Sequence, residues 1–364
     1  MDTRFAFEVG TTLCFQITIV VATTFALQRW VIDSRLSCRL WTTCFVSIIA
    51  LVTAAFLLPH RRLLHFPSGV SRESVVNLVV WQGRIVVGFL IVWGLGLALS
   101  ILKRAILCIG LVRFLKFRCH AIDHTALLQR VGIAADSLPN LAILTSSEIR
   151  GPFCWQLQKP VIVLPTSLLD EDETTLRHVL AHELEHLRTQ HPMQHFLQGV
   201  CSTLFWFHPL VWSAARGAEL TREFLCDEVA ARTTGKFSAY LRTLAKVAEQ
   251  CNGGSCTDVP AGTLAFGNRR SALIRRSENL VKLAKADPKQ NRFRAVVGIG
   301  MLVLVSIFIQ QIWIPTNALA SGRSEWSPWP TWTATALHHF NLHVRDFERF
   351  EDRTQLHEWI AEDN

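Results

Sequence analysis

Charge is scarce in this chain. Asp, Glu, Lys and Arg make up only 18% of its 364 residues, whereas 50% are hydrophobic. A soluble domain usually carries charge on about a quarter of its positions. The balance therefore excludes a plain soluble enzyme and points to a membrane protein with a soluble part. Also missing is any basic stripe interleaved with aromatics, so the net charge of +8 does not read as a nucleic-acid surface. Juxtamembrane Lys and Arg account for it. The ten cysteines form no C-x-x-C pair, and only Cys251 and Cys256, in "CNGGSC", lie close together. That excludes a disulfide framework and fits reduced thiols. Internal repeats and low-complexity segments are absent. No small-x-small cleavage pattern follows the first apolar run, and a second run comes soon after, so the first is not a removable signal peptide.

What is present is a set of four long apolar stretches. They cover about 9–27, 40–59, 85–102 and 295–314, and a bilayer takes roughly 20 apolar residues to cross. The run "KRAILCIGLVRFLKFR" follows the third, and "KLAKADPKQNRFR" precedes the fourth. Positive charge marks the cytoplasmic side. The segment between those runs is therefore expected in the cytoplasm, with both chain ends outside. Arg61, Arg62, Arg72 and Arg84 oppose this, and the denser runs outweigh them.

That central segment, 119–291, reads as an α+β domain. "LAIL" and "VIVLP" are β-rich runs punctuated by Pro152, Pro160 and Pro165. "VIVLP" is either a plain sheet edge or an edge to which an extended peptide adds. "SLLDEDETTLRHVLAHELEHLRTQ" reads as one helix with an acidic first turn, and "LFWFHPLVWSAARGAELTREFLCDEVAARTT" as a second helical stretch.

The first helix carries H-E-L-E-H. Residues four apart share a helix face, so His182 and His186 project together and can hold one zinc ion. Glu183 sits beside the first ligand and can take a proton from a water held there. The bland alternative is an exposed, charge-rich helix. Val179, Leu180, Ala181, Leu184 and Leu187 argue against it by giving the helix an apolar, core-packed face. A third ligand is needed. Thr189 and Pro192 stand where the metzincin extension requires Gly and His. His191 and His195 would lie on other faces of a continued helix. A carboxylate of the second helix is better, with Glu219, Glu223, Asp227 and Glu228 as candidates. Spacing does not choose between Glu219 and Glu223.

"HVLAHELEHLRTQHP", "LFWFHPLVW" and "AELTREFLCDEVA", with "GPFCWQLQKPVIVLP" before them, resemble the BlaR/MecR-type membrane metallopeptidases. The four blocks come in the family's order across about 150–234, and the apolar spans fit too. The resemblance implies that His182, His186 and Glu223 bind zinc, that Glu183 is the general base, and that Asp227 supports a ligand histidine. The E-x-x-x-D pair is also similar to membrane CAAX-type peptidases. Gln156 departs from the family's usual Gly, and His191 from its common Asp. His178 reads as an ordinary core or surface histidine.

The expected fold is thus α+β. It is a multi-span helical membrane protein with an inserted HExxH, gluzincin-like zinc peptidase domain. Residues 1–118 form the first membrane region, 119–291 the cytoplasmic peptidase, 295–314 a fourth span and 315–364 a Trp-rich extracytoplasmic tail containing Trp326, Trp329 and Trp332. The family's antibiotic receptors carry a penicillin-binding sensor with a Ser-x-x-Lys nucleophile. The tail has no lysine, so β-lactam binding is not expected. The resemblance implies a zinc endopeptidase of a bacterial-type cell membrane that cleaves a cytoplasmic protein such as a winged-helix transcriptional repressor. It would have lipid as its other partner and no direct nucleic-acid contact. The alternatives are an inactive peptidase-fold receptor or scaffold, and a CAAX-like quality-control protease.

Overall fold

A computed structural model describes residues 3–31, 33–59, 72–134, 138, 140–156, 159–252, 264–265, 270–285, 292–313, 329, 331–342 and 344. Cys256, Arg61, Arg62 and most of the tail, Trp326 included, lie outside them. The fold is mostly helical, with one small mixed sheet.

Among the described residues, three helices are long and apolar enough to cross a membrane: α1 (Thr3–Gln28), α2 (Ser34–Leu57) and α3 (Arg72–Phe117). Helix α2 starts where the Asp33 side chain accepts the Leu36 N–H, satisfying one of the unpaired first-turn donors. Helix α3 does not stop at 102, the end of its apolar stretch. It runs unbroken for 46 residues, roughly 69 Å at the α-helical rise. Its far end packs on the sheet, with Leu111 against Phe153 and Val163. A fourth apolar stretch folds as α10 (Arg292–Gln310). Its apolar part, Val296–Gln310, is shorter than a typical span. It packs on α1 and α2, where Gln16 Nε2 donates to the Ile309 carbonyl at 2.9 Å.

After α3 come β1 (His120–Ile122), α4 (His124–Arg130), β2 (Ala142–Ser146), β3 (Phe153–Trp155) and β4 (Val161–Pro165). The helices α5 (Glu173–Arg188), α6 (His191–Leu204), α7 (Pro209–Thr233) and α8 (Phe237–Asn252) follow. Then come β5 (Leu264–Ala265), α9 (Arg270–Lys285) and, beyond α10, α11 (Thr331–His339). The sheet order is β1-β2-β4-β3-β5, with β2 and β4 parallel and the other pairs antiparallel. "VIVLP" is therefore a central strand, hydrogen-bonded on both sides. Its burial explains the run of apolar residues: a strand covered on both faces has no alternation to show.

The stretch expected as one helix from Ser167 breaks in two. Thr166–Asp170 is a single 3-10 turn. The chain is extended at Asp172, whose carboxylate accepts the Thr175 N–H at 2.9 Å and the Thr175 hydroxyl at 2.7 Å, so α5 starts there. Those bonds hold the Asp172 carboxyl below its ordinary range. Its contribution is present above the unfolded carboxylate pKa and is lost as pH falls through the lowered folded value. Replacing Asp172 by Ala is expected to cost about 1 kcal/mol, read as a lower melting temperature at neutral pH that converges on the wild type in acid.

The second helical stretch also breaks, at Phe205–His208. Pro209 takes the first helical position of α7, where its missing N–H costs nothing. The resulting α6–α7 hairpin packs among the candidate spans. Its tip meets the middle of α1 and α3: His208 Nε2 lies 3.4 Å from the Cys14 carbonyl, and Trp206 Nε1 donates to the Trp93 carbonyl at 3.3 Å. Along α7, Gly217 lets the Trp41 indole of α2 approach, since a Cβ there would sit 2.8 Å from the ring. The indole N–H reaches the Thr221 hydroxyl at 3.2 Å. These contacts fix the rotation of α7, and so the direction in which the residues after Thr221 point.

Candidate metal centre

Helices α5 and α7 lie side by side, over a core of Leu176, Val179, Leu180 and Leu184 against the sheet and Ala230 and Ala231 of α7. This apolar face turns the other side of α5 towards α7. His182 and His186 project from α5 with their Nε2 atoms 3.2 Å apart. The Glu223 carboxylate of α7 closes the group, with Oε2 3.5 Å from His182 Nε2 and Oε1 3.4 Å from His186 Nε2. Bonds of 2.0–2.1 Å around a tetrahedral zinc put neighbouring ligand atoms roughly 3.3–3.4 Å apart. Each of these separations is close to such an edge, with one Glu223 oxygen facing each histidine.

The surrounding hydrogen bonds point both imidazoles the same way. His182 Nδ1 lies 3.1 Å from the Tyr240 hydroxyl and 3.2 Å from Asp227 Oδ1, and that hydroxyl donates to Asp227 at 2.7 Å. His182 Nδ1 is therefore a donor, the tautomer this network assigns. Arg276 of α9 grips Asp227 with two bonds, Nε to Oδ2 at 2.8 Å and Nη2 to Oδ1 at 2.6 Å, and its Nη1 lies 3.0 Å from Glu223. His186 Nδ1 lies 3.0 Å from His191 Nδ1. Burial holds His191 well below the ordinary imidazole range, so it is neutral and its Nδ1 can accept. Each Nδ1 is thus committed outward, and each Nε2 faces the Glu223 carboxylate.

The charges ask for a cation. Three carboxyls, Glu183, Glu223 and Asp227, converge in a site where Glu183 is 1% and Asp227 0% exposed, and among the described residues Arg276 is the guanidinium that contacts Glu223 and Asp227. A divalent ion balances that excess. Burial disfavours charge on His182, yet the bonds to Asp227 and Glu223 outweigh it and push its pKa up to about 9, so the carboxylates favour positive charge at this point. Burial raises the Glu223 carboxyl, but the Arg276 charge and the two histidines outweigh that and hold it well below the usual range. At Glu183 the His182 and Arg276 charges and a bond from Cys154 pull the other way but are too weak. Burial dominates and lifts it to about 7, and its Oε2 has no hydrogen bond among the described residues. A carboxylate in that state accepts a proton near neutral pH.

The structure brings His182, Glu183, His186, Glu223 and Asp227 together. Glu219 faces away, accepting a bond from Gln198 at 2.9 Å. Glu228 pairs with Arg232 at 2.7 Å. His178 bonds Thr243 and Thr234, both at 2.9 Å, and serves helix packing. One expectation fails. His191 is not on another face, because α5 stops at Arg188 and Gln190 adopts a left-handed conformation at φ 55°. That turn swings His191 back onto His186. Cys226 lies 3.6 Å from His191, but burial pushes its thiol well up and keeps it protonated, a poor metal ligand. Tyr240 and Arg276 carry no motif, and nothing near them in the sequence points to the site.

His191 yields a prediction. Orienting partners of a metal-bound histidine are worth about 10–100-fold in metal affinity. Replacing His191 by Leu is expected to weaken zinc binding by that factor, measured by competition with a chelating dye. An Asp at the same place retains an acceptor and should restore most of it.

Among known proteins, the family described as BlaR1 peptidase M56 matches residues 5–280. The regulatory protein BlaR1 of Bacillus licheniformis is 25% identical over 153 residues, which is 41% of this chain and 25% of that protein. The methicillin resistance mecR1 protein of Staphylococcus aureus (strain Mu50) is 23% identical over 168 residues, 44% of this chain and 28% of that protein. The chain thus spans about a quarter of the length of the curated relatives it matches.

Proposed function

Because the chain belongs to the BlaR1 peptidase M56 family, we propose that it is an integral-membrane zinc endopeptidase that acts in signalling by cleaving a cytoplasmic protein. The observation that carries this reading is the group of His182, His186 and Glu223, with facing atoms 3.2–3.5 Å apart and Glu183 alongside. In this reading residues 119–291 are an inserted gluzincin-like peptidase domain on the cytoplasmic side, and 315–364 lie outside the cell.

His182, His186 and Glu223 would hold one zinc ion. When bound, zinc supplies a Lewis acid that polarises the scissile carbonyl and acidifies a water. Glu183 takes the proton of the attacking water at Oε2 and passes it to the departing amine. Asp227 and Tyr240 hold His182 with its Nδ1 as donor, and His191 does the same for His186. Arg276 keeps Asp227 and Glu223 ionised and in place. The surrounding core excludes bulk water, which strengthens each of these interactions.

The substrate class in this proposal is a cytoplasmic protein such as a winged-helix repressor. The test compares new protein amino termini in cells expressing the wild type and His182→Ala. Wild-type-dependent termini in a DNA-binding repressor support signalling. Termini spread over membrane proteins indicate quality control instead. Identical sets in the two strains mean an inactive scaffold.

A further inference from the structure

A second site lies beside the metal centre. A cavity of about 610 Å³ runs between α3 and α6, with β3 at one end. Its α3 wall extends from Leu97 to Leu111, roughly 21 Å along the helix. One leaflet's hydrocarbon is roughly 15 Å thick. The facing wall is Met193, Phe196, Val200 and Leu204 of α6.

Three polar side chains in this apolar lining have unpaired groups among the described residues. Arg104 makes no hydrogen bond or ion pair with another described residue. It lies across Gly199 of α6, where an added Cβ would come within 2.8 Å of its Nη1. His195 Nδ1 and Gln156 Oε1 are buried and unbonded. The amide of Gln156 can turn its nitrogen inwards instead. The two buried groups are costly when left unpaired, and with the exposed Arg104 guanidinium beside them they offer a cation and neutral donors to one anion.

The level of the cavity identifies the occupant. Helix α3 is a candidate span from Val80 to Phe117 with apolar side chains outward on both sides of Arg104: Leu99 is 66% and Ile109 60% exposed. On its other face Leu111 packs on the sheet. The cavity therefore runs along a candidate span to the level where that helix meets the sheet, continuous with the apolar outer face of α3. We infer that it binds one anionic phospholipid, with an acyl chain between α3 and α6 and the headgroup phosphate on Arg104, His195 and Gln156.

A substrate peptide fits worse. Every peptide residue brings a backbone donor and acceptor that need partners. The cavity offers only these three side chains, and neighbouring β3 is already paired on both edges, to β4 and β5. Free phosphate needs no apolar wall. The inference goes beyond the peptidase reading and needs only the membrane reading.

The test places the full-length protein in nanodiscs holding a trace of phosphatidylglycerol with a diazirine on its acyl chain. Crosslinked peptides are then mapped. The expected result is labelling concentrated on residues 97–111 and 192–204. Unlabelled phosphatidylglycerol should compete it away, while phosphatidylcholine and inorganic phosphate should not. Labelling should fall at least five-fold in Arg104→Gln and stay near wild type in Arg104→Lys. Gly199→Ala, which displaces the guanidinium while keeping every polar group, should also reduce it. Three results overturn the inference. One is labelling spread evenly over the exposed faces of α1, α2, α3 and α10 whatever the headgroup. Another is competition by inorganic phosphate alone. The third is displacement of the lipid by a cleavable peptide, with a raised KM in Arg104→Gln.

Discussion

Replacing Glu183 by Gln is expected to cut proteolysis by about 10²–10⁴-fold, the usual worth of a general acid–base group, while leaving zinc bound. Gln has nearly the size and shape of Glu, so the packing of α5 is undisturbed. The metal ligands His182, His186 and Glu223 are untouched. What is lost is the ability to accept a proton at Oε2, the one buried Glu183 oxygen with no hydrogen bond among the described residues. Burial already lifts the Glu183 carboxyl to about 7, so the wild-type group suits proton uptake near neutral pH. The assay is cleavage of a quenched peptide or co-purified substrate by the full-length protein in detergent, with bound zinc quantified on the same sample. Activity within a few-fold of wild type, at equal zinc content, contradicts the role given to Glu183.

The second large effect is at Arg276. It is 2% exposed and touches two carboxylates, Asp227 twice and Glu223 once. Arg276→Met keeps much of the volume but leaves two buried charges facing each other. Removing one partner of a buried pair costs about 3–5 kcal/mol, and the melting temperature in metal-free buffer should fall accordingly. Arg276→Lys should rescue little, because a single ammonium cannot reproduce the forked contact with Asp227. Adding Asp227→Asn to Arg276→Met removes one orphaned charge and should recover part of the loss. Zinc supplies a countercharge of its own, so the deficit should shrink when metal is present. Equal melting of Arg276→Met and wild type without metal would show that Arg276 is not the counterion of this site.

How much of the site is readable in the sequence follows from the range of each interaction. The His182–Glu183–His186 unit is local, and helix periodicity alone puts it on one face. The start of α5 is local too, but ambiguous: Asp172 is an N-cap signal, while the acidic run 170–173 reads equally well as the first turn of a longer helix. The carboxylate is not local. Glu219 and Glu223 are one turn apart, and the choice between them depends on the rotation of α7, set by Trp41, Gly217 and Thr221 across a helix interface. In the sequence only the family resemblance favours Glu223. Tyr240 and Arg276 come from α8 and α9, which carry no motif. Their roles depend on tertiary packing against α5 and α7. His191 reads as a bystander only if α5 continues, whereas a left-handed residue at Gln190 ends it. "VIVLP" hides its central position because a short apolar run does not say how many strands flank it.

The central claim is that His182, His186 and Glu223 hold one catalytic zinc, and metal content after substitution tests it most directly. Elemental analysis of the purified full-length chain is expected to find about one zinc per molecule, the content of a single catalytic site. Glu223→Ala and His186→Ala should lose it, while Glu219→Ala, one helical turn away, should keep it. Zinc that survives Glu223→Ala, or departs with Glu219→Ala, contradicts the account.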